Sequence, residues 1–356
     1  MLKTMITGSL PRPTWLAPQN QLSSVSLRLE ADTLPEGQDD AVRLAVLDQH
    51  EAGMDIITDG EQRRQHYIWG LTEKLSGIDF NRMVKKETRG GRYKTRIDVA
   101  RVTGPVRRPR AIFLDALRFL KRHTTLPVKV TLPGPMTTAD TLADEYYGQP
   151  RRLAADLAVV LNDEACELAE NGCDIIQFDE PCFNIYLDAV EEWGIATLEA
   201  AAEGVRAKTA VHICYGYGVP QVLAWKTTNT DWHHYHHTLP LLRTSTIDMI
   251  SVECAASGVD PSVLELAQGK DLMVGVIDVG TEEIETPATV ADRIRAVLPY
   301  VAPDKLYPCT DCGMIPRSRT AARGKMKALT DGARIVRTEL ASEMIAGIPR
   351  VGRPKK

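Results

Sequence analysis

Several things are missing from this chain, and each absence removes a class of function. There is no basic surplus: 43 Lys and Arg stand against 47 Asp and Glu, a formal net charge of −4. Nucleic-acid binding draws its affinity from phosphate neutralisation, so nucleic acid is not an expected partner. No apolar run is long enough to cross a bilayer, so no membrane role is expected. The opening residues, MLKTMITGSLPRP, lack the apolar stretch of a secretory signal, and the expected location is the cytoplasm. Seven cysteines, an odd number without secretory context, do not form a disulfide framework and leave thiols for packing, metal or chemistry. Internal repeats and flexible linkers are also missing. One domain is expected over residues 1–345, with 346–356 as a disordered tail. What is present, 44% hydrophobic and 25% charged residues, is ordinary globular composition.

Short apolar runs alternate with longer amphipathic stretches, the pattern of βα units. Strands are expected at Thr4–Thr7, Asp55–Thr58, Val128–Leu132, Asp174–Phe178, Thr209–Ile213, Met249–Val252, Leu272–Ile277 and Lys305–Tyr307. Helices are expected at Asp40–Gly53, Arg151–Asn171, Ile195–Val205, Leu239–Thr244, Pro261–Gln268, Val290–Tyr300 and Thr320–Leu340. Eight such strands favour a single (β/α)8 TIM barrel, with a doubly wound open sheet as the alternative. Two insertions stand out. Ser76–Arg108 alternates Arg92, Lys94 and Arg96 with Tyr93, Thr95 and Ile97, and reads as a hairpin. Tyr215–Arg243 reads as an extended loop after strand five and carries His233, His234, His236 and His237.

In such a barrel the active site lies where the strands end. The expected ends carry Gly8-Ser9, Asp59-Gly60-Glu61, Pro133-Gly134-Pro135, Asp179-Glu180, His212-Ile213-Cys214, Glu253-Cys254, Asp278 and Cys309-Thr310-Asp311-Cys312. Glycine and aspartate after a strand often only mark a turn. A His-X-Cys, a Glu and two further cysteines need more explanation. His212 and Cys214 are two residues apart and share a face of an extended segment. With Glu253 and Cys312 they supply one nitrogen, two sulfurs and one oxygen, a full tetrahedral set for zinc. Cys309 competes with Cys312 for the last place. Cys254 follows Glu253 and faces away; it, Cys166, Cys173 and Cys182 read as packing. The four loop histidines read as a solvated segment near the pocket mouth. Glu61 and Asp179 suit either general acid–base work or the holding of an ammonium group. Ser9 has no His-Asp relay and reads as a hydrogen-bond donor.

Taken in order, Ile6-Thr-Gly-Ser9-Leu-Pro, Asp59-Gly-Glu61, Leu132-Pro-Gly-Pro135-Met-Thr137, Ile176-Gln-Phe-Asp179-Glu-Pro181, His212-Ile-Cys214-Tyr, Ser251-Val-Glu253 and Asp311-Cys312-Gly313 resemble the catalytic barrel of the cobalamin-independent methionine synthase family. The resemblance implies a zinc-dependent methyltransferase acting on the thiol of homocysteine. It implies zinc on His212, Cys214, Glu253 and Cys312, and homocysteine against Ser9, Glu61 and Asp179. The chain resembles a core-only form, without the second, N-terminal barrel of longer members. It departs from the family in two places. Gly280 stands where the family has a proton-donating His, and Thr141 where it has a Trp that stacks on the pterin. Both departures fall on the methyl-donor side. The donor is therefore left open between methyl-folate, another donor, and a donor site completed by a partner protein. A zinc-thiolate alkyltransferase of the methylcobamide or coenzyme M type, and a non-catalytic metal- or ligand-binding barrel, are the alternative readings.

Overall fold

The computed structural model describes residues 1–18, 27–94, 96–217 and 220–346. Its strands are β1 (Ser76–Glu87), β2 (Arg96–Arg107), β3 (Lys129–Pro133), β4 (Ala143–Asp144), β5 (Ile175–Asp179), β6 (Lys208–Ile213), β7 (Met249–Val252), β8 (Asp271–Ile277) and β9 (Leu306–Thr310). Six of them form one parallel sheet in the order β3-β5-β6-β7-β8-β9. Strands buried on both faces need apolar side chains outward as well as inward, which explains their near-continuous hydrophobic runs.

The two expected strands at the N-terminal side lie in the ring but form irregular segments. Residues 55 and 56 donate their N–H groups to the carbonyl of Thr4. Ile57 bonds to Pro127 and accepts from Lys129, joining this segment to β3. On the other side Met5 N–H donates to Pro308 O, and Thr7 N–H donates to Thr310 Oγ1 at 3.0 Å. These bonds carry the ring from β9 through residues 4–7 and 55–57 to β3, the architecture of an α/β barrel.

Alternation along each strand sorts the side chains into two cores. Outward, Ile176, Phe178, Val211, Ile213, Ile250, Val252, Leu272 and Val274 pack under the helical layer. That layer includes Leu153, Leu157 and Leu161 of the helix Pro150–Glu170, as their spacing predicts. Inward, Met5, Ile56, Ile175, Ala210, Met249, Met273 and Cys309 form a separate apolar cluster. Two residues further along the same strands the interior turns polar, with Thr7, Gln177, His212 and Ser251, all buried.

Several boundaries differ from expectation. The first long helix begins earlier, at Leu34, and runs to Ala52. Pro261–Ala267 is a 3-10 rather than an α-helix, and the last helix spans Arg319–Ala346, so the expected tail beyond it lies outside the described residues. The extension after β6 is not a loop: it folds into helices Pro220–Thr228 and His234–Thr244. Apolar Tyr215, Trp225 and Trp232 hold it together, their rings meeting at centroid distances of 4.9–5.9 Å. The hairpin reading of Ser76–Arg108 holds, since β1 and β2 pair antiparallel. No described helix is long and apolar enough to cross a membrane.

The return of the hairpin to the barrel body is pinned by Glu164, which is fully buried. Its carboxylate accepts from Arg108 Nε at 2.6 Å and from the Phe113 N–H at 2.7 Å. Removing the carboxylate strands the N–H groups of Ile112 and Phe113 and one of the two ion pairs of Arg108, which keeps Glu167, at a typical cost of about 1–3 kcal/mol. Glu164→Ala is expected to destabilise the protein by about that amount in equilibrium urea unfolding; a loss below about 1 kcal/mol would show that water replaces the carboxylate there.

Candidate active site

The parallel register sets Asp179 beside His212 and His212 beside Ser251. The His212 Nδ1 lies 2.8 Å from Ser251 Oγ, which fixes the ring. Its Nε2 is buried without a hydrogen-bond partner. An orphaned imidazole nitrogen is costly unless something else fills its lone pair. Cys214, two residues on, brings its Sγ to 3.9 Å from Cys312 Sγ. The donor atoms of His212, Cys214 and Cys312 lie within 4.8 Å of one another. One imidazole and two thiols at this spacing are the donor set that a soft, tetrahedral metal ion selects.

Cys312 is aimed by its neighbour. Buried Asp311 accepts from the N–H groups of Cys254 (3.1 Å), Ala255 (2.9 Å) and Ala256 (2.8 Å), and from Tyr217 Oη at 2.8 Å. The turn after β7 is thereby locked to the end of β9. Gly275 makes room: a Cβ there would sit 2.1 Å from Asp311 Oδ1. Cys309, the rival in sequence, points into the apolar cluster of the barrel interior, where burial pushes its thiol up to about 12. Cys254 packs against the core and Cys173 and Cys182 are buried in it, whereas Cys166 is only partly covered.

Glu253 is not one of the three gathered donors. It is fully buried, its Oε2 accepts from the Tyr215 N–H at 3.0 Å, and its Oε1 pairs with Lys226. Lys226 sits on the helix Pro220–Thr228 and is itself almost fully covered.

Two further carboxylates face the same space. Glu61 has a left-handed backbone (φ 58°), unusual for a residue with a side chain. Its own N–H donates to Asp59 Oδ1 at 2.9 Å, which offsets part of that strain, and its Oε1 accepts from Thr131 Oγ1 at 2.8 Å. Asp179 Oδ1 accepts from Gln177 Nε2 at 2.7 Å. Burial pushes both carboxyls above their ordinary range, opposed at Glu61 by Arg64 and at Asp179 by His212. Ser9 approaches closely from the first segment; a Cβ on Gly313 would meet its Oγ at 2.1 Å. Ser9, Glu61, Asp179, His212, Cys214 and Cys312 all line one cavity of about 210 Å³.

The opposite wall of this cavity was not legible in the sequence. Arg89, at the hairpin tip, pairs with Asp140 at 2.5 Å and donates to Tyr67 Oη at 3.0 Å. Tyr93 Oη, also from the hairpin, donates to the Tyr215 carbonyl at 2.5 Å. The hairpin and the helical extension after β6 therefore close over the strand ends together.

None of the four histidines at 233–237 lines the cavity, and three of them lie in the helix His234–Thr244 rather than a loop. His233 is exposed beside Asp231, and His234 faces Arg92 at 3.0 Å. Besides His212, the imidazole that lines it is His66, which has no motif around it in the sequence. Thr141 lines the cavity too, but its hydroxyl is spent on the carbonyls of Thr137 and Thr138. Gly280 lies outside the lining, beside Asp278, Leu223 and Tyr217.

With this geometry in place, comparison with known proteins is direct. A family described as the catalytic domain of cobalamin-independent synthase matches residues 2–335. A methionine synthase of Sulfurisphaera tokodaii is 32% identical over 345 residues, covering 96% of this chain and 95% of its own. One from Sulfolobus acidocaldarius is 33% identical over 341 residues, covering 96% and 94%. Among solved structures, a B12-independent methionine synthase from Shewanella sp. W3-18-1, in complex with selenomethionine, superposes with a TM-score of 0.93 at 48% identity, covering 96% of this chain and 99% of that one.

The His66 Nδ1 accepts from the N–H groups of Ile68 and Trp69 at 3.2 and 3.4 Å, leaving Nε2 to carry the proton. Burial, with Arg89 and Arg12 nearby, pushes this imidazole down to about 3. The unfolded chain gains the proton below the ordinary value of 6.5, while the folded chain does not until about 3. The contribution to stability is thus full above pH 6.5 and is lost as pH falls toward 3. His66→Gln should flatten the acid side of the stability profile by up to about 1.4 kcal/mol per pH unit, read by urea unfolding across that window. An unchanged slope would mean that His66 titrates normally.

Proposed function

Because this chain belongs to the family of cobalamin-independent methionine synthase catalytic domains, and is a methyltransferase, we propose that it moves a methyl group onto the sulfur of homocysteine using a zinc ion held by His212, Cys214, Cys312 and Glu253. The observation that carries this reading is the convergence of three soft donors and two buried carboxylates on one cavity. Zinc, when bound, supplies the thiolate form of homocysteine at neutral pH, where a free thiol of pKa about 8.5 is mostly protonated.

The residues divide the remaining work. Asp179 and Glu61 receive the ammonium group, and Ser9 the carboxylate, which orients the sulfur toward the methyl carbon. A sulfur–carbon bond then forms as the bond from that carbon to its donor breaks. Ser251 holds the His212 ring, and Asp311 holds the segment that bears Cys312. Glu253 would be the fourth ligand to the zinc in this reading, and Lys226 and the Tyr215 N–H hold its buried carboxylate. Residues 1–345 act as one catalytic unit in the cytoplasm, with homocysteine and a small methyl donor as substrates.

The donor half follows from Gly280 and Thr141. A tertiary amine such as N5 of methyl-folate leaves well only if protonated. A general acid contributes roughly 10²–10⁴-fold, and Gly280 offers none. Ring stacking is worth about 1–3 kcal/mol, and Thr141 offers no ring. The neutral His66 is a hydrogen-bond donor rather than an acid. The reading is therefore methyl transfer from a donor other than methyl-folate alone, or with a partner protein that completes the donor wall.

Two measurements test this. Cys312→Ala should release zinc on dialysis while Cys309→Ala keeps it, by elemental analysis of both; the reverse result would exchange the two thiols. The purified chain, given homocysteine and methyl-folate, should turn over at least about a hundredfold more slowly than a member that keeps the acid. Robust turnover would overturn the donor assignment, and absence of transfer from every methyl donor tried, with or without cell extract, would favour a binding role.

A further inference from the structure

Beneath the two carboxylates, the barrel interior holds a charge that no part of the proposed reaction uses. Lys129, on β3, is fully buried. Its Nζ donates to the carbonyls of Ile6 and Thr7, each at 2.8 Å, and to Gln177 Oε1 at 2.6 Å. An ammonium group has three donors and no acceptor, so it forces the Gln177 amide to present oxygen to it. The amide nitrogen is thereby turned the other way, and there it donates to Asp179 Oδ1 at 2.7 Å. Gln177 is also fully buried, and no water can reverse this order. Asp179 accepts at that oxygen, and its other oxygen has no hydrogen bond from the described residues on a side chain that lines the cavity.

We propose that Lys129 is a positioning residue for the amino acid substrate, acting through Gln177 to hold the Asp179 side chain with one oxygen free for an ammonium group. The proposal rests on the assignment of Asp179 to the homocysteine ammonium. Without the lysine, the amide is free to turn its oxygen toward Asp179. An amide oxygen there offers Asp179 no hydrogen bond, so the side chain is no longer held with its second oxygen toward the cavity.

The test compares two ligands by titration calorimetry on the zinc-loaded protein: L-homocysteine, and 4-mercaptobutanoate, which lacks only the amino group. The wild type should prefer L-homocysteine by about tenfold or more, the worth of a charge-assisted hydrogen bond. Lys129→Met should weaken L-homocysteine by a similar factor and leave 4-mercaptobutanoate within about twofold, with zinc content unchanged. A core disturbance would weaken both ligands together, and that outcome overturns the proposal. So does a variant that keeps the wild-type preference. Should Lys129→Met fail to fold, Gln177→Met breaks the relay while keeping the lysine, and the same selective loss is expected. If the wild type itself shows no preference, the ammonium assignment falls and the proposal falls with it; a preference that survives both substitutions overturns the proposal alone.

Discussion

Two carboxylates buried in one small cavity impose the condition that the rest of this site must satisfy. Like charges taken out of water drive each other toward protonation unless cations face them. Here three cations face them: Lys129 from below, and Arg64 and Arg12 from the side of Glu61. Burial pushes Lys129 down only to about 8, so it is still mainly charged at neutral pH. Its charge must in turn be satisfied, and the carbonyls of Ile6 and Thr7 do so. The first segment of the chain, which has little regular pairing of its own, is held in the ring partly by this demand. Ser9 reaches the cavity as a result.

The interior is thus graded along the barrel axis. An apolar layer with Cys309 closes one end, a layer of hydrogen-bonded polar groups lies above it, and the ligating and acidic groups occupy the strand ends. The polar layer is fully satisfied where it carries charge, as a buried network must be if it is to favour a single arrangement. Within that layer the His212 ring breaks the rule, with a bare Nε2 among thiols.

Much of this was legible in the sequence because barrel strands end in chemistry. The rhythm of apolar runs located all eight strand segments, and the polar residues after them gave Ser9, Glu61, Asp179, His212, Cys214 and Cys312. Asp-Cys-Gly separated Cys312 from Cys309 by resemblance; in the structure Cys312 lies with His212 and Cys214, and Cys309 in the apolar interior. Other features were hidden for physical reasons. Lys129 and Gln177 sit inside otherwise apolar strands, where a lone polar residue carries no pattern. Arg89 and His66 come from segments whose placement depends on tertiary contacts such as the Arg89–Asp140 pair. The segment after β6 read as a loop because its histidines and tryptophans show no clean helical stripe. Its helices are held instead by aromatic packing around Tyr215.

The hairpin and the helical extension meet over the strand ends through few contacts, among them Tyr93 to the Tyr215 carbonyl and Arg92 to His234. Neither insertion contributes to the hydrogen-bonded ring, whose geometry is set by β3 to β9 and residues 4–7 and 55–57. The two halves of the cavity can consequently diverge at different rates over evolutionary time. Substitutions in the insertions reshape the outer wall of the cavity while the strand-end residues stay in place.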